Sequence, residues 1–145
     1  MAATDTKRTG LQNQKRGVCV AVSELLASAA DSTAVPVEVA VVSDGSTICT
    51  LPDKSLVVRI TLIVTAASAA SDTIDINYAG SEIGSEIACD VLGAIVDVPT
   101  SANAYSATGG DIVVKNGSQP VDTTFRGRVV IEYVELDKVT GEYTA

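Results

Sequence analysis

The chain has 145 residues, the usual size of one domain, and is long enough to bury a core without disulfides or metals. Apolar residues make up 46% of it and aromatic residues only 3%, so small and branched aliphatic side chains must fill the core, which favours strands. The net charge is −8 and histidine is absent, which removes the residue that acid–base catalysis near neutral pH uses most often.

The charge is unevenly distributed along the chain. Residues 1–16 have a charge of +3, because four basic residues stand against Asp5 alone, and the remainder therefore has −11. The basic residues are Lys7, Arg8, Lys15 and Arg16. The segment is polar and has no hydrophobic periodicity, so we expect an extended or disordered arm. We interpret its basic residues as a contact with an acidic protein surface rather than with a specific nucleic acid, because no aromatic residues are interleaved with them.

The segment from Val18 to Asp31 allows two interpretations. The run VCVAV is typical of a strand, whereas Leu25, Leu26 and Ala29 are spaced for a short helical turn. The sequence leaves both open.

Regular strand patterns begin after Pro36. Residues 37–43 alternate and end at the turn dipeptide Asp44-Gly45. Residues 56–65 have the clearest alternation in the chain, with Arg59 and two threonines opposite an apolar face. The residues predicted on that apolar face are Leu56, Val58, Ile60, Leu62 and Val64.

Further strands are predicted towards the C-terminus. In residues 72–78, Ile74, Ile76 and Tyr78 share a face, and AASAAS before them is turn material. Shorter strands are predicted at residues 94–98 and 111–115, and a long one at 128–136. In the long strand the expected inner face is Val129, Ile131 and Tyr133. We interpret residues 79–93, which contain several glycines, as a connecting stretch.

These patterns predict an all-β fold, because no long amphipathic helix is present to connect parallel strands. We expect an antiparallel β-sandwich, jelly-roll-like, with an extended N-terminal arm. The expected divisions are an arm or clamp at residues 1–35, a sandwich body at 36–136 and a polar tail at 137–145.

Candidate sites for chemistry are few. Cys19, Cys49 and Cys89 are far apart and lack metal-ligand spacing, so we expect free, buried thiols and no disulfide. No stretch has the length and apolar character of a membrane span. No glycine-rich phosphate loop or nucleophile motif is present, so we expect no catalytic site and no cofactor.

Three surface features have alternative interpretations. Asp72, Asp75 and Asn77 could bind a hard cation through oxygen ligands, but a solvated sheet face has the same pattern, so no metal site is expected. The tyrosines are scattered rather than arranged for carbohydrate stacking. They are Tyr78, Tyr105, Tyr133 and Tyr143. We interpret the charged residues of the last strand as members of cross-strand ion pairs on a solvated face. They are Arg126, Arg128, Glu132 and Glu135.

The later two thirds of the chain resembles small structural proteins of tailed bacteriophages. The matching elements are Leu51-Pro52 before a strand, Val58 to Ala66, Thr73 to Ile76, and Arg128 to Val134 with its R-V-x-I-E-Y-V character. Proteins of that kind decorate or cement the head, have β-sandwich bodies, are often trimeric and extend an arm across neighbouring capsid subunits. The resemblance carries no catalytic motif.

The resemblance implies a virion structural protein without catalytic activity. It would stabilise a capsid by bridging subunits of the major capsid protein, as a homotrimer on the outer surface of the particle, after assembly in the host cytoplasm. Two alternatives stay open: a tail, neck or head-fibre component, and a sugar- or cation-binding module that uses Tyr105 or the face with Asp72, Asp75 and Asn77.

Overall fold

The computed structural model describes residues 18–29 and 39–136, which form two β-sheets packed face to face. The strands are β1 (Cys19–Val22), β2 (Leu26–Ser28), β3 (Val39–Val41), β4 (Ser46–Leu51), β5 (Ser55–Ala66), β6 (Thr73–Tyr78), β7 (Ser81–Ala88), β8 (Gly93–Asp97), β9 (Tyr105–Ser106), β10 (Gly110–Asn116) and β11 (Arg126–Glu135). A short 3-10 turn, Ala102–Ala104, precedes β9. The predicted β-sandwich is confirmed, and its jelly-roll-like character stays a prediction.

The large sheet is built on the pairing of β5 with β11, which extends from Ser55 opposite Glu135 to Ala66 opposite Arg126. On the other side of β11, β1 and β2 follow one another along the strand, and β2 pairs with β3 in parallel. On the other side of β5 lie β8 and β9. The strand order is β3-β2-β11-β5-β8, with β1 beside β11 and β9 beside β5.

The small sheet has the order β4-β10-β6-β7, with antiparallel neighbours throughout. The inner faces of the two sheets supply the core, and aliphatic residues dominate it, as the composition predicts. The predicted inner face of β6 is confirmed, because Ile74, Ile76 and Tyr78 are all fully buried. The hydroxyl of Tyr78 donates to the Ser55 carbonyl at 3.2 Å and so links the two sheets.

The alternation predicted for residues 56–65 is right in its second half and wrong in its first. Ile60, Leu62 and Val64 are buried as expected. Leu56 and Val58 are instead half-exposed, and Val57 is 1% exposed. Glu132 and Tyr133 are consecutive on β11, but their partners on β5 are two residues apart, which leaves Val58 as the extra residue of a β-bulge. A bulge moves every earlier side chain to the opposite face of the sheet.

The ambiguous segment after Val18 forms strands rather than a helical turn. β1 and β2 lie end to end along β11, and Ser23 between them joins both to it. The Ser23 amide donates to the Val129 carbonyl at 2.8 Å, and the Ser23 hydroxyl accepts from the Val129 amide at 2.8 Å. Leu26 and Ala27 are fully buried. The described part of the segment that we expected in the arm therefore contributes to the large sheet.

Besides the two-residue β9, two strands, β4 and β7, lie in stretches where the sequence predicts none. Both are edge strands of the small sheet, and their pairing contains register shifts, which interrupt the alternation of side chains. In β7, Gly84 stands where the two sheets come close, since a Cβ there would lie 3.1 Å from Ile87 Cδ1 and 3.2 Å from Ile60 Cδ1. An interior glycine weakens a strand signal, and here it permits the close approach.

The bulge in β5 gives a test of the core. We expect Val57→Ala to lower the free energy of unfolding by about 2 kcal/mol, because two buried methyl groups are removed and a cavity is left. Val58→Ala is the matched control and should cost less than about 1 kcal/mol, because Val58 is half-exposed. Urea unfolding measures both variants. A larger loss for Val58→Ala would mean that the simple alternation is right and the bulge is misplaced.

Candidate interaction surface

The basic residues that we expected to contact a partner lie outside the described residues. They are Lys7, Arg8, Lys15 and Arg16. Their proposed role therefore stays a prediction. The polar tail at residues 137–145 and Tyr143 within it also lie outside.

The three oxygen-bearing residues considered for a cation are not gathered into one site. Asp72 is 5% exposed, and its carboxylate accepts from the Ser68 hydroxyl. Asp75 accepts from the Glu86 amide at 2.7 Å, across to β7. The side-chain oxygen of Asn77 is buried without a hydrogen-bond partner. Among residues 18–29 and 39–136, no cluster of three or more acidic or cysteine side chains has an arrangement that could hold a metal ion.

Asp72 belongs to a polar clamp between the loop before β6 and the loop before β11. The amide of Asp122 donates to the Asp72 carboxylate at 3.1 Å, and the Ala69 amide donates to the Asp122 carboxylate at 2.5 Å. The Thr124 hydroxyl also donates to Asp122, at 2.6 Å, and together with the amides it lowers the pKa of that carboxyl. The arrangement joins the two loops, and its carboxylates are already occupied by protein donors.

Two of the described tyrosines contribute to the fold rather than to a sugar platform. Tyr78 is fully buried, and its burial raises the pKa of its hydroxyl. Tyr133 packs against the core on β11. Tyr105 is 40% exposed at the start of β9, opposite Leu56 of β5. The described tyrosines therefore form no stacking surface.

The cysteines are free thiols, as predicted, but only Cys89 is fully buried, while Cys19 and Cys49 are half-buried. Burial raises the pKa of Cys49 to about 11 and that of Cys89 to about 12. The thiolate is the nucleophilic form, so at neutral pH these two side chains are poor nucleophiles.

The outer face of the large sheet is the most unusual surface of the described body. One row crosses β1, β11, β5 and β8 through Val22, Val130, Thr61 and Val96, which are register partners in turn. Val20, Val22 and Val96 are each more than half exposed. We define the outer face as Val20, Val22, Arg59, Thr61, Ile63, Ala94, Val96, Arg128, Val130 and Glu132. No described element covers it.

The charges on this face are locally balanced. Arg59 contacts Glu132 across β5 and β11 at 3.3 Å, in the row next to the valines. Arg128, on the same face, lies 4.0 Å from Glu24 and donates to the Ser23 carbonyl at 3.0 Å. Glu132 is therefore paired across strands, as expected, whereas Arg128 has its acidic partner in the loop after β1. Exposed pairs of this kind contribute at most about 1 kcal/mol each.

The outer face of the small sheet is polar and acidic by contrast. On its strands, Glu82 and Glu86 are exposed, and Asp111 accepts from the Thr50 hydroxyl at 2.6 Å. Glu86 also accepts from the hydroxyls of Thr73 and Ser118, which lower its pKa. A solvated antiparallel sheet normally has one such polar face. The large sheet departs from that pattern, because its outer face is apolar as well as its inner face.

Apolar side chains continue from this face onto the edge formed by β8. Val91 and Leu92, in the connection from β7, are 58% and 64% exposed, and Val98 just after the strand is 56% exposed. Isolated exposed apolar residues are normal on protein surfaces, but a contiguous group marks an interaction site. The sequence already contained a signal of this apolar edge, since residues 91–98 contain a single charged residue, Asp97. No helix in the described parts of the chain has the length and apolar character needed to cross a membrane.

Comparison with known proteins yields matches in structure but not in sequence. No protein-family model and no curated protein matches the chain. A chain of the cyanophage Pam1 capsid asymmetric unit superposes with a TM-score of 0.52 at 15% identity, covering 81% of this chain and 84% of that one. A chain of the acidic stable capsid structure of Helicobacter pylori bacteriophage KHP30 gives 0.47 at 11% identity, covering 80% and 86%. At 15% identity the likeness to the Pam1 chain concerns the fold.

The clamp predicts a specific pH dependence. The pKa of Asp122 is lowered in the folded protein, so its ionised form stabilises the fold above the unfolded-state pKa, and this contribution is lost as pH falls through the lower folded-state pKa. We expect Thr124→Ala to raise the pKa of Asp122 and to lower stability at neutral pH by at most about 1 kcal/mol.

Thr123→Ala is the control, because Thr123 is the exposed neighbour whose side chain makes no contact with Asp122 in the clamp. Thermal unfolding is compared at neutral pH and again below the pKa of Asp122, where the difference between the two variants should shrink. A difference that grows in acid would contradict the stabilising role of the carboxylate.

Proposed function

We propose that the chain is a structural protein of a bacteriophage particle, which decorates the capsid and stabilises it by bridging subunits of the major capsid protein. The observation that carries the proposal is the uncovered apolar outer face of the large sheet, with Val22 and Val96 each more than half exposed. Burying apolar area is the main driving force for stable association, at about 25 cal/mol per Å² removed from water. A protein that works alone in solution gains nothing from this face.

The similarity in fold to the Pam1 chain supports the same proposal. The Pam1 chain belongs to a capsid asymmetric unit, and the similarity extends over most of both chains. The sequence resemblance to head decoration proteins of tailed phages is an independent argument, since it rests on the strand and turn pattern around Val58 to Ala66 and Arg128 to Val134. Fold alone does not imply function, so the surface is the stronger part of the argument.

A non-catalytic role fits the chemistry of the side chains. The chain has no histidine. The thiols of Cys49 and Cys89 have raised pKa values, which disfavours the nucleophilic form. The Asp72 and Asp122 carboxylates are used by backbone and hydroxyl donors in the clamp. We therefore propose that function lies in surfaces rather than in a reaction centre.

The basic N-terminal segment completes the proposal. Residues 1–16 have a charge of +3, and the rest of the chain has −11, so the segment suits an acidic surface on a neighbouring subunit. We propose that this segment acts as an arm. Its basic side chains, Lys7, Arg8, Lys15 and Arg16, would contact a capsid subunit. The homotrimeric form and the location on the outer surface of the virion follow from the resemblance alone.

Particles with and without the protein test this role. We expect the protein to co-purify with particles in many copies and to raise the temperature at which the shells release their DNA, because bridged subunits must separate together. Gold or antibody labelling on intact particles shows where it lies. A lattice over the shell supports decoration, and a single labelled vertex would contradict it in favour of a tail, neck or fibre component.

The arm has a separate test. We expect deletion of residues 1–16 to leave the melting temperature of the free protein unchanged, because the segment contains almost no apolar side chain for a core, while binding to shells weakens. The matched control replaces the four basic residues by glutamine and keeps the length. Equal binding of the wild type, the deletion variant and the glutamine variant to shells would contradict the role of the arm. This result would not depend on whether the protein stabilises the shells.

A further inference from the structure

β1 is the one free edge of the described sandwich that has no guard against pairing with another strand. Natural edge strands are protected by an inward-pointing charge, a bulge, a very short length or a covering element, because their unpaired backbone groups invite another strand. From Val18 to Ser23 there is no charge, no proline and no register shift. Among the described residues, no strand pairs with β1 on the side away from β11.

The other free edges of the described sheets are guarded. Asp97 of β8 lies opposite the fully buried Ile60, so its carboxylate points between the sheets, 3.1 Å from where a Cβ of Gly84 would lie. The pairings of β4 and β7 both contain register shifts, and β7 also carries the exposed Glu82 and Glu86. β3 and β9 are only three and two residues long. Another strand is therefore most easily added at β1.

The backbone groups on the open side of β1 belong to its valines. Ser23 continues the ladder between β1 and β11, and its amide donates to the Val129 carbonyl. Along an antiparallel edge strand, successive residues direct their N–H and C=O groups alternately to the paired side and to the open side. Every second residue before Ser23 therefore also points to β11, whereas the residues between them point away from it. The residues that point away are Val18, Val20 and Val22.

A second copy of β1 fits this open side. Around a two-fold axis normal to the sheet, two β1 strands run antiparallel and keep their outer faces on one side. With the axis at Val20, that residue lies opposite itself and Val18 lies opposite Val22 of the second copy, so each valine donates and accepts a main-chain hydrogen bond. Outward apolar residues then meet outward apolar residues. Residues 18–22 carry no charge, so the seam adds no repulsion between two bodies of strong negative charge.

The neighbouring strand β3 limits the register of this pairing. β3 lies beside β2, with Val39 opposite Leu26, and so occupies the position into which a strand added to β1 would continue. Only residues 18–22 are therefore open to another strand. The register with Val20 on the axis pairs all five of them. A shift by two residues removes one valine of each copy from the pairing, and a shift by one places valines opposite inward-facing residues.

We propose that two copies of this chain associate around a two-fold axis at Val20, with β1 of each copy added as a strand to the large sheet of the other. The two large sheets become one sheet, and the apolar outer faces of both copies become one surface. Strand addition supplies main-chain hydrogen bonds, and the valines set the register. The association goes beyond the proposed capsid role. It is also distinct from the three-fold contacts of the proposed trimer, because a two-fold interface uses the same patch on both copies.

A proline at Val20 tests the pairing without disturbing the fold. The Val20 amide points away from β11, so Val20→Pro removes no hydrogen bond of the described sheet, and edge strands tolerate proline at such positions. It does remove the hydrogen bonds that the two Val20 residues exchange, so the dissociation constant should rise at least about 30-fold. Val20→Thr is the matched control, because it keeps the amide and the β-branched shape, and should change the constant less than about threefold. Sedimentation velocity of purified full-length protein measures both, and circular dichroism checks their folding.

Cysteine cross-linking tests the register. In full-length protein that carries Cys19→Ser, Val20→Cys places two thiols within disulfide range, because opposite residues in a hydrogen-bonded pair have Cα atoms about 5.5 Å apart. Oxidised glutathione, which is itself reduced in the exchange, should then give a covalent dimer. Val18→Cys and Val22→Cys should cross-link poorly alone and efficiently when mixed. Val96→Cys on β8 is the control, since Val20 and Val96 are 57% and 56% exposed.

We expect wild-type protein to form oligomers with an even number of chains, either a dimer or a pair of the proposed trimers. The proposal is overturned if wild type stays a single chain or a single trimer, if Val20→Pro associates like Val20→Thr, or if Val96→Cys cross-links as fast as Val20→Cys. Association that appears only after deletion of residues 1–16 would also overturn it, because the N-terminal segment of the same chain would then be what covers β1.

Discussion

The antiparallel ladder between β5 and β11 is the interaction on which the rest of the molecule depends. It is the longest pairing in the described structure, and β1, β2, β8 and β9 all hydrogen-bond to one of its two strands. Its inner face packs on the small sheet through fully buried residues such as Ile60 and Ile131. A strand presents alternate residues to its two faces, so the register that fixes the core also fixes which residues point outward. The outer surface is therefore a direct consequence of this ladder.

The two outer faces of the sandwich have different properties because of that register. On the small sheet, carboxylates such as Glu86 and Asp111 are held by neighbouring hydroxyls and amides, so that face is well solvated and acidic. On the large sheet the equivalent positions are mostly valine, isoleucine and threonine, and the Arg59–Glu132 pair leaves little net charge. A body with a strong overall negative charge repels another such body. Two such bodies therefore approach each other at the lowest electrostatic cost through the neutral apolar face.

The sequence predicted the fold class and six of the eleven described strands, namely β3, β5, β6, β8, β10 and β11. It failed where the backbone departs from regular pairing. The bulge at Val58 reversed the expected faces of Leu56 and Val57, and Gly84 obscured β7, because both features depend on the opposite strand or sheet rather than on local pattern. The outer face was overlooked for a related reason. Apolar residues at Val20, Ile63 and Val96 were present in the sequence, but their meeting on one surface depends on the order of strands in the sheet.

The central claim is that the outer face of the large sheet is the surface by which the protein joins its assembly. Carbene footprinting of the protein, free and within particles, tests it most directly, because the label reports the solvent access of apolar side chains. The account predicts that labelling falls on assembly at Val22, Ile63 and Val96, while the small-sheet face around Thr47 and Glu82 keeps its labelling. Unchanged labelling of the three apolar residues, with protection of the small-sheet face instead, would contradict it.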